Sequence, residues 1–262
     1  MDAFKKIDIL ECRDLSFSEK TDSVASEIKL RIFSDSKELL SLLCTPTMVK
    51  ELVVGFGLSE GLLGNNSQRS WCLERIEILW KEEEIEVHLP IEIPEAAATL
   101  TSGCAKGVTF AADEKLQEVR GDLKISASTI CELFREFQKR SELFMATGGV
   151  HSAALCDKKE IIVFTEDIGR HNAVDKIIGY AFLENIPLQD KILLLSGRLS
   201  SEIAVKAVRA GVPVLASRAA PTDRAVGIAR KAKLTMVGFL RGQRFNIYSQ
   251  PGRIVLKGAG KY

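Results

Sequence analysis

The sequence contains few histidines, no closely paired cysteines and no long apolar segment. Its 262 residues include only three histidines, and none of its six cysteines forms a Cys-x-x-Cys pair, so the usual patterns of a zinc site or a dithiol redox centre are missing. No uncharged apolar run approaches the roughly 20 residues of a membrane helix. Acidic residues interrupt the N-terminal segment too early for a signal sequence. We therefore predict a cytoplasmic protein that is not bound to a membrane and keeps its thiols reduced.

The chain also lacks an excess of charge of either sign. Thirty-six Lys and Arg residues balance thirty-five Asp and Glu residues, for a formal net charge of +1. A nearly neutral chain implies no general attraction to nucleic acid or to an anionic membrane, so any anionic ligand must be bound by a local group of residues. The apolar fraction of 46% is that of a globular protein, and the length suits one large domain or two of ordinary size.

The first half of the sequence predicts a mixed α+β domain. Residues 26–33 alternate like a strand, and residues 75–89 alternate on both sides of a charged turn, which indicates a hairpin. Residues 37–43 and 47–63 have a helical spacing of apolar side chains. We place the domain boundary near residue 120, which gives domains 1–120 and 121–262.

The second half alternates strands with single helices. Strands are predicted over 161–164, 191–195, 214–216 and 234–239, and helices over 170–183, over 200–209 and from about Pro221; a further helix after residue 126 is capped by Ser126 or Ser128. Single helices between strands imply right-handed crossovers and a largely parallel sheet. The C-terminal half is therefore predicted to be an α/β sandwich.

Arginines follow four of these strands. Each of the segments 165–172, 196–200, 217–224 and 240–244 contains at least one arginine. In open α/β sheets, ligands bind beyond the carboxyl ends of the strands, where helix N-termini and arginines recognise phosphate. The segments predict a pocket for a phosphorylated ligand; the alternative is that these arginines are simply solvated. No Walker loop is present, so the binding is not of the ATPase type.

Two histidines lie near these segments. His151 follows the paired glycines Gly148 and Gly149, which permit a ligand to approach the backbone, and His171 follows Arg170 at a predicted helix start. A buried histidine that hydrogen-bonds a backbone carbonyl is the alternative for each. His88 alternates with apolar strand residues, which indicates a structural place.

Cys104 differs from the other cysteines in its surroundings. It lies among small residues, two positions before Lys106, a setting that leaves the sulfur accessible and favours the thiolate. Such a thiol suits a nucleophile or a sulfur carrier. The other cysteines are interpreted as structural thiols: Cys12, Cys44, Cys72, Cys131 and Cys156.

Several motifs together resemble one family, the formate dehydrogenase accessory sulfurtransferases or FdhD family. They are Thr147-Gly148-Gly149-x-His151-x-Ala153-Ala154-Leu155, the run from Glu166 to Lys176, Ser196-Gly197-Arg198-x-Ser200-x-Glu202, Ser217-Arg218-x-Ala220-Pro221-Thr222 and Gly238-Phe239-x-Arg241. The match covers most of residues 100–262 and is looser before them. The resemblance implies a C-terminal domain with a cytidine-deaminase-like fold, beside the smaller N-terminal α+β domain, and a homodimer.

The resemblance also implies a function. Members take sulfur from a cysteine desulfurase as a cysteine persulfide and pass it to the molybdenum of a bis-guanine-dinucleotide molybdenum cofactor, for formate dehydrogenase. By position, Cys104 would form the persulfide. The residues that would bind the cofactor are Phe239, Leu240, Arg241, Gly242, Gln243, Arg244, Gly148, Gly149, His151, Asp167, Arg170, His171, Ser196, Arg198, Arg218 and Thr222.

The sequence departs from the family pattern at one position, and it also lacks the ligands of a zinc deaminase. Many members have Cys-x-x-Cys where this chain has Cys104-Ala105-Lys106-Gly107. One thiol still suffices for persulfide exchange, so a sulfur carrier is expected, with a cofactor-binding chaperone that transfers no sulfur as the alternative. The glutamate and cysteines of a zinc deaminase are missing near His151 and Pro221, so neither zinc nor deamination is expected.

Overall fold

The chain begins with a two-stranded ribbon that the sequence analysis does not predict. The computed structural model describes residues 1–34, 37–63, 75–89, 99–101, 107–109 and 116–256. In it, β1 (Phe4–Arg13) runs antiparallel to β2 (Ser16–Ala25). The connecting Asp14 and Leu15 have positive φ angles of 52° and 62°, as in the tight turns whose twist matches that of paired strands.

The next elements form a four-stranded sheet covered by one helix. The strands are β3 (Ile28–Ser34), β4 (Lys37–Cys44), β5 (Glu77–Trp80) and β6 (Glu84–Leu89), in the order β4-β3-β6-β5. Helix α1 (Val49–Ser59) packs its Leu52, Val53 and Phe56 into the same apolar cluster as these strands. The helix predicted over 47–63 is confirmed as α1, and the hairpin predicted over 75–89 is confirmed as the antiparallel pair of β5 and β6.

The helix predicted over residues 37–43 is wrong, because this segment is strand β4. It pairs antiparallel with β3, with Leu40 opposite Ile32 and Leu42 opposite Leu30. Pairing with a core strand places these leucines against the apolar cluster, which outweighs a weak local preference for helix. Two short strands follow, β7 (Thr99–Thr101) and β8 (Gly107–Thr109), which pair with each other. Cys104 and Lys106, between these strands, lie outside the described residues, as does Cys72.

The C-terminal half is an α/β sandwich. Its elements are β9 (Ile125–Ser126), α2 (Ala127–Lys139), α3 (Glu142–Thr147), β10 (His151–Cys156), β11 (Ile161–Asp167), α4 (Arg170–Leu183), β12 (Ile192–Leu195), α5 (Ser201–Ala210), β13 (Val214–Ser217), α6 (Asp223–Lys231), β14 (Thr235–Arg241), β15 (Arg244–Ser249) and β16 (Ile254–Val255). Ser126 caps α2 by accepting a hydrogen bond from the Thr129 amide, as predicted. The predicted α/β class is confirmed; the domain boundary near residue 120 stays a prediction.

The main sheet is mixed, so the expectation of a largely parallel sheet is wrong. Its order is β11-β10-β12-β13-β14-β15, and among the described strands of this sheet only the β12–β13 and β13–β14 pairs are parallel. The physical reason is connection length: residues 157–160 join β10 to β11, and residues 242–243 join β14 to β15. Such short links allow only antiparallel hairpins.

Helices cover both faces of this sheet. Alternate strand residues such as Leu155, Leu193 and Leu215 face a cluster that includes α4, α5 and α6. Their neighbours, such as Ala154 and Leu194, face a second cluster to which α2 contributes Ile130, Leu133, Phe134 and Phe137. This period of two gives the central strands two buried faces. Among the described residues, no helix combines the length and apolar composition that crossing a membrane requires.

Helices α1 and α4 cross in direct backbone contact. A Cβ atom added to Gly55 would lie 1.8 Å from the carbonyl oxygen of Asp175, and one added to Gly179 would lie 1.9 Å from that of Glu51. Only glycine fits on both sides of such a contact. The crossing therefore joins the N-terminal sheet and its helix closely to the C-terminal sandwich.

A buried group of charges lies next to this crossing. The ammonium of Lys206 on α5 lies 2.9 Å from both carboxylate oxygens of Asp175 on α4. It also donates to Glu60 (3.1 Å) and to the hydroxyl of Ser59 (2.7 Å), at the end of α1. Because a charge buried without its partners is strongly destabilising, the group favours one arrangement of α1, α4 and α5.

Candidate functional site

The carboxyl ends of four strands meet at one edge of the main sheet. Strands β11, β12, β13 and β14 run in the same direction, while β10 runs against β11 and β12. The start of β10 therefore lies at the same edge, and His151 is paired with Asp167 in the β10–β11 register. We call this region the exit edge. It brings together the four arginine-containing segments predicted from the sequence.

Hydrogen bonds join the segments that follow β12, β13 and β14. The Ser217 hydroxyl donates to the carbonyl of Gly197 (2.6 Å) and accepts from the amide of Ala219 (3.1 Å). The Phe239 amide in turn donates to the carbonyl of Ala219 (3.2 Å). The three segments are thus one connected surface rather than independent loops.

His151 lies beside Ser196 at the centre of the exit edge. The Ser196 hydroxyl lies 3.4 Å from His151 Nδ1 and accepts a 2.8 Å hydrogen bond from the Ser152 amide. Burial, together with the positive charge of Arg170, lowers the pKa of His151. The half-buried imidazole is therefore held in its neutral form.

Arg170 and His171 are the first residues of α4, and their side chains lie near His151 at the exit edge. A Cβ atom on Gly197 would lie 3.2 Å from Arg170 Cβ and 3.4 Å from His151 Nδ1, so these two side chains flank the Gly197 backbone. Burial, with the nearby charges of Lys206 and Arg170, lowers the pKa of His171 from 6.5 to about 3. His171 is therefore neutral throughout the physiological pH range.

The Asp167 side chain is buried and supports the site through its hydrogen bonds; it does not face an open pocket. Its side chain is 0% exposed and pairs with the equally buried Lys176 at 2.7 Å. One carboxylate oxygen accepts hydrogen bonds from the amide and hydroxyl of Thr45, and the other accepts from the Gly169 amide and the Asn172 side chain. Asp167 thus orders the turn that leads into Arg170 and His171. Because both of its oxygens already accept hydrogen bonds from the protein, its role is to position these residues.

Several predicted residues also serve the local fold. Thr222 caps α6 by accepting from the Ala225 amide, and Gly148 ends α3 with a φ of +65° that suits glycine. Leu240 is fully buried in the cluster shared with α2. A Cβ atom added to Gly149 would lie 3.4 Å from the Cβ of Ala25, so Gly149 packs near the end of β2.

Four of the predicted arginines are exposed at the exit edge, and we call them the rim arginines: Arg198, Arg218, Arg241 and Arg244. Arg241 and Arg244 are paired across the turn formed by Gly242 and Gln243. Next to this turn Phe239 has a φ of +52°, which is unusual for a bulky residue. Such strain is concentrated at ligand-binding and catalytic sites.

The residues that hold this edge in place were not predicted from the sequence. Glu166 accepts from the amides of Leu143 and Phe144 and so caps α3. Lys176 donates to the hydroxyl of Thr45 (2.8 Å) as well as pairing with Asp167. The available signal was a set of charged residues at apolar positions of a helix, since Asp175 and Lys176 lie within the buried stretch of α4.

The described cysteines other than Cys12 are buried. Burial raises the pKa of Cys44 to about 12 and also raises the pKa of Cys131 and of Cys156, so all three are poor nucleophiles. Cys12, on β1, is exposed. The interpretation of Cys44, Cys131 and Cys156 as structural thiols agrees with their burial.

The low pKa of His171 predicts a loss of stability in acid. In the unfolded chain this imidazole gains a proton near pH 6.5, whereas the folded chain resists protonation to about pH 3. The contribution of His171 to the free energy of unfolding is therefore complete above pH 6.5. It is lost as the pH falls below this value, because the unfolded chain then binds a proton that the folded chain does not. We expect the free energy of unfolding of His171→Gln to depend less on pH than that of the wild type, by on the order of 2 to 3 kcal/mol between pH 7 and pH 4.

Denaturant titrations at a series of pH values measure this difference. The control is His88→Gln, because His88 stacks on Phe33 in the N-terminal sheet, away from the exit edge. That variant shows how much of the difference comes from losing any histidine rather than from the buried position of His171. If the wild-type and His171→Gln curves run parallel, the neutral state assigned to His171 is wrong.

Comparisons with known proteins identify relatives over nearly the whole chain. The FdhD/NarQ family model matches residues 25–255. A protein from Bacillus pumilus named sulfur carrier protein FdhD is 40% identical over 258 residues, covering 95% of this chain and 97% of the relative. A protein of the same name from Geobacillus kaustophilus is 36% identical, covering 97% and 98%. A crystal structure described as that of a formate dehydrogenase accessory protein from Desulfotalea psychrophila matches with a TM-score of 0.76 and 25% identity, covering 97% of this chain and 100% of that one.

Proposed function

Because the chain belongs to the FdhD/NarQ family, we propose that it carries sulfur as a persulfide on Cys104 and delivers it to the bis-guanine-dinucleotide molybdenum cofactor used by formate dehydrogenase. The sulfur donor is a cysteine desulfurase. The observation that carries this proposal is the exit edge, where the ends of four strands bring the rim arginines to the same edge of the sheet as His151 and His171. The names of the relatives support sulfur carriage.

The loading step needs one thiolate at a time. The Cys104 thiolate attacks the outer sulfur of the desulfurase persulfide, the sulfur–sulfur bond of the donor breaks, and the donor cysteine leaves as a thiolate. Neither oxidant nor reductant is consumed. Gly107, in place of a second cysteine, removes a local disulfide from the scheme and leaves this exchange intact.

The cofactor is the substrate, and the exit edge offers groups for each of its parts. Arginine forks bind phosphate through paired hydrogen bonds, and Arg198, Arg218, Arg241 and Arg244 are exposed where the diphosphates could reach them. His151 and His171 lie at the same edge of the sheet, close to Arg170.

Mapping the persulfide tests the proposal directly. The wild-type chain is incubated with a cysteine desulfurase and cysteine, alkylated, digested and analysed by mass spectrometry. We expect a mass increase of one sulfur on the peptide that contains Cys104. Sulfur found on Cys12 and not on Cys104 would contradict the assignment.

The rim arginines give a second prediction. Arg241→Ala and Arg244→Ala should each weaken the binding of guanosine diphosphate by on the order of 1 to 3 kcal/mol, because each change removes a charged hydrogen bond to phosphate. Isothermal titration calorimetry measures the effect. Arg135→Ala, which changes an exposed arginine on α2, is the control and should bind like the wild type. Unchanged affinity in both rim variants would rule out this part of the pocket.

A cofactor chaperone without sulfur chemistry is the second candidate function, and Gly107 favours it because the second cysteine of many members is missing. Both functions predict binding of the cofactor. Only the sulfur carrier predicts a persulfide on Cys104. A homodimer, expected from the resemblance, stays a prediction.

A further inference from the structure

The ribbon of β1 and β2 lies at the surface with little cover. Apart from each other, the two strands pack mainly against α3, through β2. Leu10 and Phe17 are 62% and 69% exposed, and Phe4, Ile7 and Val24 are also exposed. A two-stranded ribbon is marginally stable by itself in water and needs a third strand or a packed face. We therefore expect another segment of chain to complete this ribbon.

Strand β1 has the more open edge of the two. The Ser26 amide donates to the carbonyl of Ala3 (2.9 Å), so odd-numbered residues of β1 point their backbone groups towards β2 and even-numbered residues point theirs away from it. No strand within the described ranges pairs with this outer edge. The end of β2, by contrast, lies beside Gly149 and α3. An unpaired edge of this kind is a template for pairing with another chain.

The sequence of β1 is complementary to itself in one antiparallel register. With Ile7 opposite Ile7 of a second copy, Lys6 lies opposite Asp8. In the same register, Phe4 lies opposite Leu10. Twofold symmetry makes each of these unlike pairs occur twice. Opposite charges and apolar side chains that face each other across two strands stabilise their pairing.

The neighbouring registers are unfavourable. A shift of the twofold axis by one residue places either Lys6 or Asp8 opposite its own copy, and like charges directly opposite each other destabilise a sheet. In the single chain, Lys6 is exposed and has no ion pair with any residue that the structure describes. Asp8 accepts a hydrogen bond from the Thr21 hydroxyl (3.1 Å) and lies two positions from Lys6, on the same face of the ribbon. The register centred on Ile7 therefore gives Lys6 the opposite charge that it lacks.

We propose that β1 pairs with β1 of a second copy of this chain, antiparallel and with Ile7 on the twofold axis. The two ribbons then form one continuous four-stranded sheet, in the order β2-β1-β1-β2. The pairing reduces the exposure of Phe4, Ile7 and Leu10 in each copy, and it supplies the further strands that a ribbon needs. The inference goes beyond the proposed function, which uses no residue of the ribbon and leaves the surface of a dimer open.

Exchange of charges tests the register. The full-length wild type is compared with Lys6→Asp, Asp8→Lys and the double variant by sedimentation velocity over a range of concentrations. We expect a wild-type dimer whose dissociation constant rises about 10-fold or more in each single variant, because like charges then face each other twice. The double variant restores both ion pairs and should recover the wild-type dimer. Because it contains both substitutions, this recovery separates loss of pairing from loss of folding.

A cross-link tests the position of the axis. Ile7 would face its own copy as a non-hydrogen-bonded pair, with Cα atoms about 4.5 Å apart, a separation that a disulfide spans. Ile7→Cys in a Cys12→Ala background should therefore form a covalent dimer on mild oxidation. The matched control is Ile9→Cys in the same background, because residue 9 would lie opposite Lys5 and roughly 14 Å from its own copy.

Any of four results would overturn the inference. They are a wild type that is monomeric at every concentration tested, a dimer that neither single charge variant weakens, a double variant that does not recover, and an Ile7→Cys chain that cross-links no more than Ile9→Cys. A dimer insensitive to these changes would use another surface, and a monomer would leave the ribbon to a different protein. None of these results bears on sulfur loading of Cys104, so they leave the proposed function to its own test.

Discussion

Replacing Cys104 by alanine is expected to abolish sulfur loading at this position and to reduce formate dehydrogenase maturation to background. The reason is chemical: the thiolate is the group that forms the new sulfur–sulfur bond, and alanine offers no nucleophile. The measurement is formate dehydrogenase activity in cells that lack their own family member and express the variant. Guanosine diphosphate binding should persist, because the exit edge is unchanged.

The control for this change is Cys12→Ala. Cys12 is an exposed thiol on β1, so it tests whether accessibility of any thiol is sufficient. We expect this variant to mature formate dehydrogenase like the wild type. If Cys104→Ala also supports full maturation, the chain acts through binding alone and the chaperone function replaces sulfur carriage.

Gly179→Ala is expected to destabilise the protein strongly. The new Cβ would lie 1.9 Å from the carbonyl oxygen of Glu51 and 2.8 Å from the amide nitrogen of Gly55, distances at which backbone atoms must move. Because both contacts are backbone rather than flexible side chains, helices α1 and α4 would have to separate. We expect a loss of about 3 kcal/mol or more in the free energy of unfolding, at the upper end for overpacked sites.

Gly227→Ala is the matched control, since it makes the same change in another helix. Nothing lies within 4 Å of a Cβ at Gly227, on the exposed side of α6. Alanine stabilises a helix interior by roughly 0.5 to 1 kcal/mol relative to glycine, so this variant should be slightly more stable than the wild type. Urea titrations measure both variants. Equal stabilities would show that the α1–α4 crossing tolerates a side chain and would contradict the expected effect.

Local patterns predicted the C-terminal elements well. The helix expected over 170–183 is α4 (Arg170–Leu183), and the helix expected before Gly211 is α5, with Gly211 in the left-handed conformation at φ +77° that ends a helix. These elements combine clear periodicity with capping residues, so the local signal and the final structure agree. The same patterns also predicted that the four arginine-containing segments lie at one edge of the sheet.

Features set by distant contacts were not predictable in the same way. Strand β4 has helical spacing and becomes a strand because it pairs with β3. The contact of Gly55 with Gly179 and the hydrogen bond from Thr45 to Asp167 join residues far apart in the chain. No local pattern marks such partners. The resemblance placed Asp167 among the cofactor-binding residues, and that assignment stays a prediction; its burial and its hydrogen bonds indicate a positioning role.

Helix α4 connects two distant parts of the molecule, the exit edge and the crossing with α1. Its first residues, Arg170 and His171, belong to the exit edge. Nine positions after Arg170, Gly179 lies in backbone contact with α1. A tilt of α4 about this contact would move both of its ends, so a partner that displaces the N-terminal sheet would also move Arg170 and His171. Under the proposed function, a sulfur donor that docks on the N-terminal half would therefore shift residues that we propose bind the cofactor.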